Sequence, residues 1–217
     1  ALAPLLAGDT RRVNFCCRDA CGNPAEDDVE IELRLIRKDD SCGAAAAVAS
    51  HAVTVEPLNN GEVALSIRLC EAGCYRAELL VGGVATHALP ELLVLAGTAN
   101  RLEVSPALAS DVTESALRVT AGDTVALAIL QVDALGNACA DSAPLLHLCA
   151  RTREPNASVA VHVEWAEPTA RLTVEGRAGC IEVELVGTSA AEESLRGTIW
   201  LDLVAGPPHA RSSAVVL

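Results

Sequence analysis

Ala7-Gly8-Asp9-Thr10, eight residues, then Asp19-Ala20-Cys21-Gly22-Asn23 recurs as Ala121-Gly122-Asp123-Thr124, eight residues, then Asp133-Ala134-Leu135-Gly136-Asn137, 114 residues further on. A motif repeated at one fixed offset, with no insertion inside it, marks two copies of one domain. Gly-Asp reverses the chain, and the closing Gly-Asn supplies the positive φ that a tight turn needs. Each copy therefore reads as a strand held between two corners. In the second copy Val125, Leu127 and Ile129 alternate with Ala126, Ala128 and Leu130; in the first, Val13 and Phe15 hold the matching inward positions.

Outward from these strands, the first copy continues with Val29, Ile31, Leu33 and Leu35 alternating with Glu30, Glu32 and Arg34, a strand with one wet face. Arg37 to Ala49 reads as a loop, because the four alanines from Ala44 are too short a run for a helix and are flanked by Gly43 and Val48. Ala52 to Val55 and Val63 to Leu69 flank Asn59-Asn60-Gly61, a hairpin signal. Then come the corner Glu71 to Tyr75, a strand from Ala77 to Val81, the Gly82-Gly83 turn, and a last strand from Glu91 to Leu95. The second copy repeats the order with Leu145 to Ala150, Val159 to Trp165, Arg171 to Val174, the corner Arg177 to Ile181, Glu182 to Val186 and Gly197 to Val204.

Short strands at regular spacing, with turn residues between them, predict an all-β protein of two tandem immunoglobulin-like sandwiches. The expected domains are residues 1–97 and 98–217, with 207–217 a linker or the first strand of a following repeat. The short hinge Ala96 to Asn100 leads straight into Arg101 to Val104, the expected first strand of the second domain, which predicts an end-to-end rod. The missing initial Met and a leading apolar stretch too short for a signal sequence mark the chain as an expected internal fragment.

Composition excludes several function classes. With 51% hydrophobic residues but only one Phe, one Tyr and two Trp, the cores must be packed from Val, Leu, Ile and Ala. A net charge of −13 opposes nucleic acid and direct binding to an anionic membrane. No apolar run is long enough to span a bilayer, so any anchor is expected elsewhere in a longer chain. The nine cysteines lack metal-binding spacing and point to an oxidising, extracellular compartment. Asn156-Ala157-Ser158 is a glycosylation sequon that fits secretion.

No metal or cofactor is expected. Glu26-Asp27-Asp28 and Asp39-Asp40 lack calcium-loop spacing. His162-Val163-Glu164 lacks the Cys-x-x-Cys of a zinc deaminase, and alternation puts both polar residues on one outward face. No nucleophile elbow, phosphate loop or Cys/His/acid set is present, so the chain reads as a non-enzyme.

The corner Ala72-Gly73-Cys74-Tyr75, with Asn59-Asn60-Gly61 before it and Gly82-Gly83 and Pro90 after it, resembles that of filamin-type immunoglobulin-like repeats. The Asp-Ala-x-Gly-Asn turn is shared by that family and by bacterial invasin-type domains. Leu89 and Ile181 depart from the family's usual Ser and Tyr, and the second copy has no matching Pro before its last strand. The cysteines, the sequon and an alanine-rich, Lys-poor composition make the chain similar to gamete-surface adhesion proteins of plants and green algae, which carry such repeats outside the cell.

Immunoglobulin-like topology then implies disulfides. Cys149 with Cys180 is the first expectation, with Cys42 pairing Cys74 or Cys70 in the other domain, Cys16 or Cys17 closing on Cys21, and Cys139 available to bridge the domains. The resemblance also implies binding in the groove between the third and fourth strands, near Leu33, Leu35, Ala52, Val53, Leu148 and Val161. The expected function is cell-surface adhesion, between gametes, through a protein on an opposing cell or through self-association. The alternatives are a passive stalk of a surface protein or bacterial adhesin, and an intracellular filamin-like scaffold.

Overall fold

The computed structural model describes residues 3–18, 21–24, 30–38, 53–58, 61–107, 112–113, 116–140, 143–153, 159–166, 168–190 and 192–206. Among these every regular element is a strand. The chain divides into two compact units, Ala1–Gly97 with Leu135–Asn137, and Thr98–Ala134 with Ala138–Leu217.

The first unit contains β1 (Leu5–Leu6), β2 (Thr10–Cys16), β3 (Ile31–Arg37), β4 (Val53–Pro57), β5 (Glu62–Arg68), β6 (Gly73–Val81), β7 (Val84–Ala88) and β8 (Leu92–Leu95). One sheet runs β1-β8-β6-β3, with β7 also on β6; the other runs β2-β5-β4. The second unit contains β9 (Arg101–Pro106), β10 (Val112–Thr113), β11 (Ala116–Thr120), β12 (Thr124–Val132), β13 (Leu145–Thr152), β14 (Ala160–Ala166), β15 (Thr169–Glu175), β16 (Gly179–Ser189) and β17 (Ser194–Val204). Its sheets run β10-β11-β17-β16-β13 and β14-β15-β12-β9. In each unit a short strand joins the last strand in parallel, β1 on β8 and β11 on β17. Two sheets in this order, with one parallel edge pair, form an immunoglobulin-like sandwich.

The repeated motif explains why both units fold alike. Gly8 and Gly122 have φ of 87° and 91°, and Gly22 and Gly136 repeat those values at the second corner. A side chain is strained in that region, so glycine is required at both corners. The first corner bonds identically in the two copies. Ala7 N–H donates to Leu95 O (2.8 Å) and Ala121 N–H to Val204 O (3.0 Å), on the last strand of one sheet. Gly8 N–H donates to Leu69 O (2.7 Å) and Gly122 N–H to Val174 O (2.9 Å), on the other sheet. The second corner closes through Arg18 opposite Pro24 and Val132 opposite Ala138.

Alternation sends one side of each strand inward. Leu33, Leu35, Leu65, Leu79, Leu92 and Val94 build the first core; Leu127, Leu172, Val174, Leu185, Leu201 and Leu203 are among those building the second. Each such side chain contributes roughly 1.5–3 kcal/mol on burial. Tyr75 is 1% exposed, and its hydroxyl donates to Glu71 O at 2.9 Å, which satisfies the polar end of a buried ring. The second unit has Ile181 at this corner and instead uses Trp165, whose Nε1–H donates to Leu145 O at 3.1 Å from one sheet to the other.

In the second unit β9 lies against Gly197 of β17. A Cβ there would stand 2.6 Å from Leu102 O and 2.9 Å from Val104 Cγ2, so only glycine lets β9 sit down. Gly197→Ala is expected to destabilise this unit by about 1–3 kcal/mol, measured as a lower Tm by calorimetry, with the first unit's transition unmoved.

Candidate functional site

The cysteines expected to pair are held in place by strand register. Cys149 on β13 stands opposite Val186, while Cys180 on the adjacent β16 stands opposite Asp202 of β17. Six residues of β16 separate Val186 from Cys180, about 20 Å at the usual rise, whereas a disulfide needs Cα atoms within about 7 Å. The expectation of a Cys149–Cys180 bond is therefore corrected, and both are exposed thiols. The reason is that β13 begins at Leu145, which puts Cys149 in mid-strand rather than at the end beside the start of β16.

Cys16 points outward at the end of β2 while Cys17 packs against the core, as alternation requires of neighbours. Cys21 lies in the turn closed by Arg18 and Pro24. Cys70 is exposed just before the corner. Cys74 donates from Sγ to Glu91 Oε2 at 3.5 Å, and Glu91 also pairs with Lys38. Cys139 is half-buried, and burial, with Asp133 nearby, pushes its thiol pKa up, making it a poor nucleophile at neutral pH. Cys42, Asn156, Ala52 and the acidic clusters at 26–28 and 39–40 lie outside the described residues. Among the described residues no group of His, Cys, Asp and Glu could hold a metal ion.

The expected binding groove is only partly available. Leu33, Leu35 and Leu148 are core residues, so they cannot meet a partner, and the earlier expectation is corrected: alternation turns them inward. Val53 and Val161 are half-buried on the facing strands. What the region does offer is backbone. Among the described residues β3 pairs only with β6, β4 only with β5, β13 only with β16 and β14 only with β15. A strand paired on one side leaves a row of N–H and C=O groups on its other edge, a template for an added strand, although in the second unit Leu145 O of β13 already accepts from Trp165 of β14.

The two units differ at this groove. Val55 pairs with Leu65, which pairs with Val13; Trp165 pairs with Ala170, which pairs with Leu127, the repeat counterpart of Val13. Val55 thus holds the place of Trp165. The indole ties β14 to β13 in the second unit, whereas Val55 is 37% exposed.

A charge ladder covers the outer face of β13, β16 and β17. Arg151 meets Glu184 at 2.7 Å, Arg196 meets the same carboxylate at 3.3 Å, and Arg153 meets Glu182 at 2.8 Å. Trp200, 48% exposed, stands opposite Glu182. Its neighbours' charges are already paired, which suits a solvated face. Sequence reading missed this ladder, because i to i+2 spacing on single strands does not reveal which strands lie side by side.

Hydrogen bonding from Arg151, with the charges of Arg151 and Arg196, holds the Glu184 carboxyl below its ordinary pKa of 4.5 despite partial burial. A carboxylate depressed by folding stabilises the fold above its unfolded pKa and loses that contribution as pH falls through the folded value. Glu184→Gln is therefore expected to lower Tm at pH 7 and to narrow the gap from wild type below pH 4.5, read from a melting series across pH.

No protein-family profile matches the chain, and no curated protein does. Among solved structures, the Lin-41 filamin domain is similar at 25% identity and TM-score 0.34, covering 42% of this chain and 81% of that one. The Escherichia coli adhesin FdeC is similar at 17% identity and TM-score 0.41, covering 94% of this chain and 62% of FdeC. Invasin, a bacterial integrin-binding protein, is similar at 13% identity and TM-score 0.43, covering 94% of this chain and 39% of invasin.

Proposed function

We propose that the chain is a pair of immunoglobulin-like repeats from a cell-surface adhesion protein, and that it acts by binding another protein. The observation that carries this reading is the pair of strands in the first unit, β3 and β4, that among the described residues each pair on one side only, next to a flank that no indole ties as Trp165 ties β14 to β13 in the second. Their inward side chains are committed to the cores, so recognition falls to backbone edges and to the outward residues between them. A net charge of −13 keeps such an exposed module soluble. The finer assignment, adhesion between gametes, rests on the resemblance carried by Ala72 to Tyr75 and on the cysteine-rich composition.

A second reading, an intracellular filamin-like scaffold, is favoured by Cys149 and Cys180 standing apart as exposed thiols. Beads coated with the chain are expected to adhere to cells of the opposing type, or to one another, above albumin-coated beads; adherence equal to the control would sink the adhesion reading. Intact mass before and after alkylation, on chain exported through a secretory route, separates the two compartments: bonded cysteines support the surface reading and nine alkylated ones the scaffold.

A further inference from the structure

The chain has a single lysine, and the fold sets it opposite a cysteine. The register of β3 on β6 runs as far as Arg37 opposite Tyr75. Lys38 N–H then donates to Cys74 O at 2.9 Å, which carries the pairing one residue further and makes Lys38 and Cys74 cross-strand neighbours. Residues so opposed have Cβ atoms about 4.5–5.5 Å apart on the same face of the sheet, a gap that a lysine stem spans. That face is the outer one, because the next residue of β6, Tyr75, is core.

One carboxylate joins the two. Glu91, between β7 and β8, accepts from Lys38 Nζ with Oε1 and from Cys74 Sγ with Oε2, the latter at 3.5 Å. The Lys38 and Glu91 side chains are 47% and 57% exposed, so a small solute reaches the group. Glu91 is placed to take the thiol's proton, and the positive charge of Lys38 favours the thiolate that remains. A thiolate oxidised to sulfenic acid here has a nitrogen nucleophile at hand, with which a sulfenic acid condenses. The second unit has the thiol without the amine: Cys180, the repeat counterpart of Cys74, stands opposite Asp202, and that unit contains no lysine.

From this we infer that Lys38 and Cys74 are a covalent modification site, at which hydrogen peroxide drives a sulfenamide bond from Lys38 Nζ to Cys74 Sγ. In the first step the thiol's proton passes to Glu91, an S–O bond forms as the peroxide O–O bond breaks, and the departing hydroxide takes the proton and leaves as water. In the second, Lys38 sheds its extra proton to solvent and the amine attacks sulfur; the N–S bond forms, the S–O bond breaks, and hydroxide leaves as water with a proton from the amine. One thiol, one amine and one peroxide thus give one sulfenamide and two waters. A dithiol reverses the link, restoring thiol and amine while it becomes a disulfide. The bond staples the end of β3 to β6. The inference goes beyond the adhesion reading and stands without it, since it concerns the purified chain and peroxide.

The test treats the reduced whole chain with hydrogen peroxide, digests it with trypsin and maps the peptides by mass spectrometry. A peptide joining Lys38 to Cys74 is expected, with loss of cleavage after Lys38, and dithiothreitol is expected to restore both. Cys70→Ser is expected to keep the link and Cys74→Ser to abolish it. Lys38→Arg keeps a cation on Glu91 but offers no amine, so the link is expected to vanish and Cys74 to remain a sulfenic acid that a 1,3-dione traps. Cys180 is expected to be trapped alike in wild type and variant. Absence of the linked peptide, a link that survives Cys74→Ser, a disulfide of Cys74 in its place, or equal trapping of Cys74 in wild type and Lys38→Arg each overturns the inference. The bead assay uses untreated chain, so the two readings fall separately.

Discussion

Each unit depends on one corner, where a glycine at φ near 90° lets two consecutive residues bond to the two sheets. Ala7 bonds the last strand, Gly8 bonds the strand end on the opposite sheet, and Thr10 starts β2; Ala121, Gly122 and Thr124 do the same. Two sheets that meet only through side chains can slide against each other. A backbone bonded to both at one end fixes their offset and lets alternating Leu and Val interlock in one arrangement. Every later pairing, including the parallel join of β1 to β8 and of β11 to β17, takes its register from that point.

With so few aromatics, each unit finds its own way to close. Tyr75 plugs the first core and satisfies its hydroxyl locally at Glu71 O. Trp165 lies at the side of the second sandwich and bonds across to Leu145 O. The first solution leaves the flank near Val55 open; the second seals it. The difference bears on binding, since a tied edge must break a bond before it can take a new partner.

The surface divides in the same manner. Paired charges on β13, β16 and β17 make a face with little left to offer a ligand, whereas open edges carry unpaired backbone groups whose pairing with a new strand is worth more than a screened surface ion pair.

The sequence by itself determined the class, the repeat and most strands, because alternation and glycine corners are local properties. Val125, Leu127 and Ile129 point inward whatever lies next to β12, and Gly8, Gly22, Gly122 and Gly136 adopt a φ that other residues resist. Only the tertiary structure decided which strands are neighbours and in what register. That is why Cys149 and Cys180, on adjacent strands, stay six positions apart, and why Leu33, Leu35 and Leu148 prove to be core instead of contact residues.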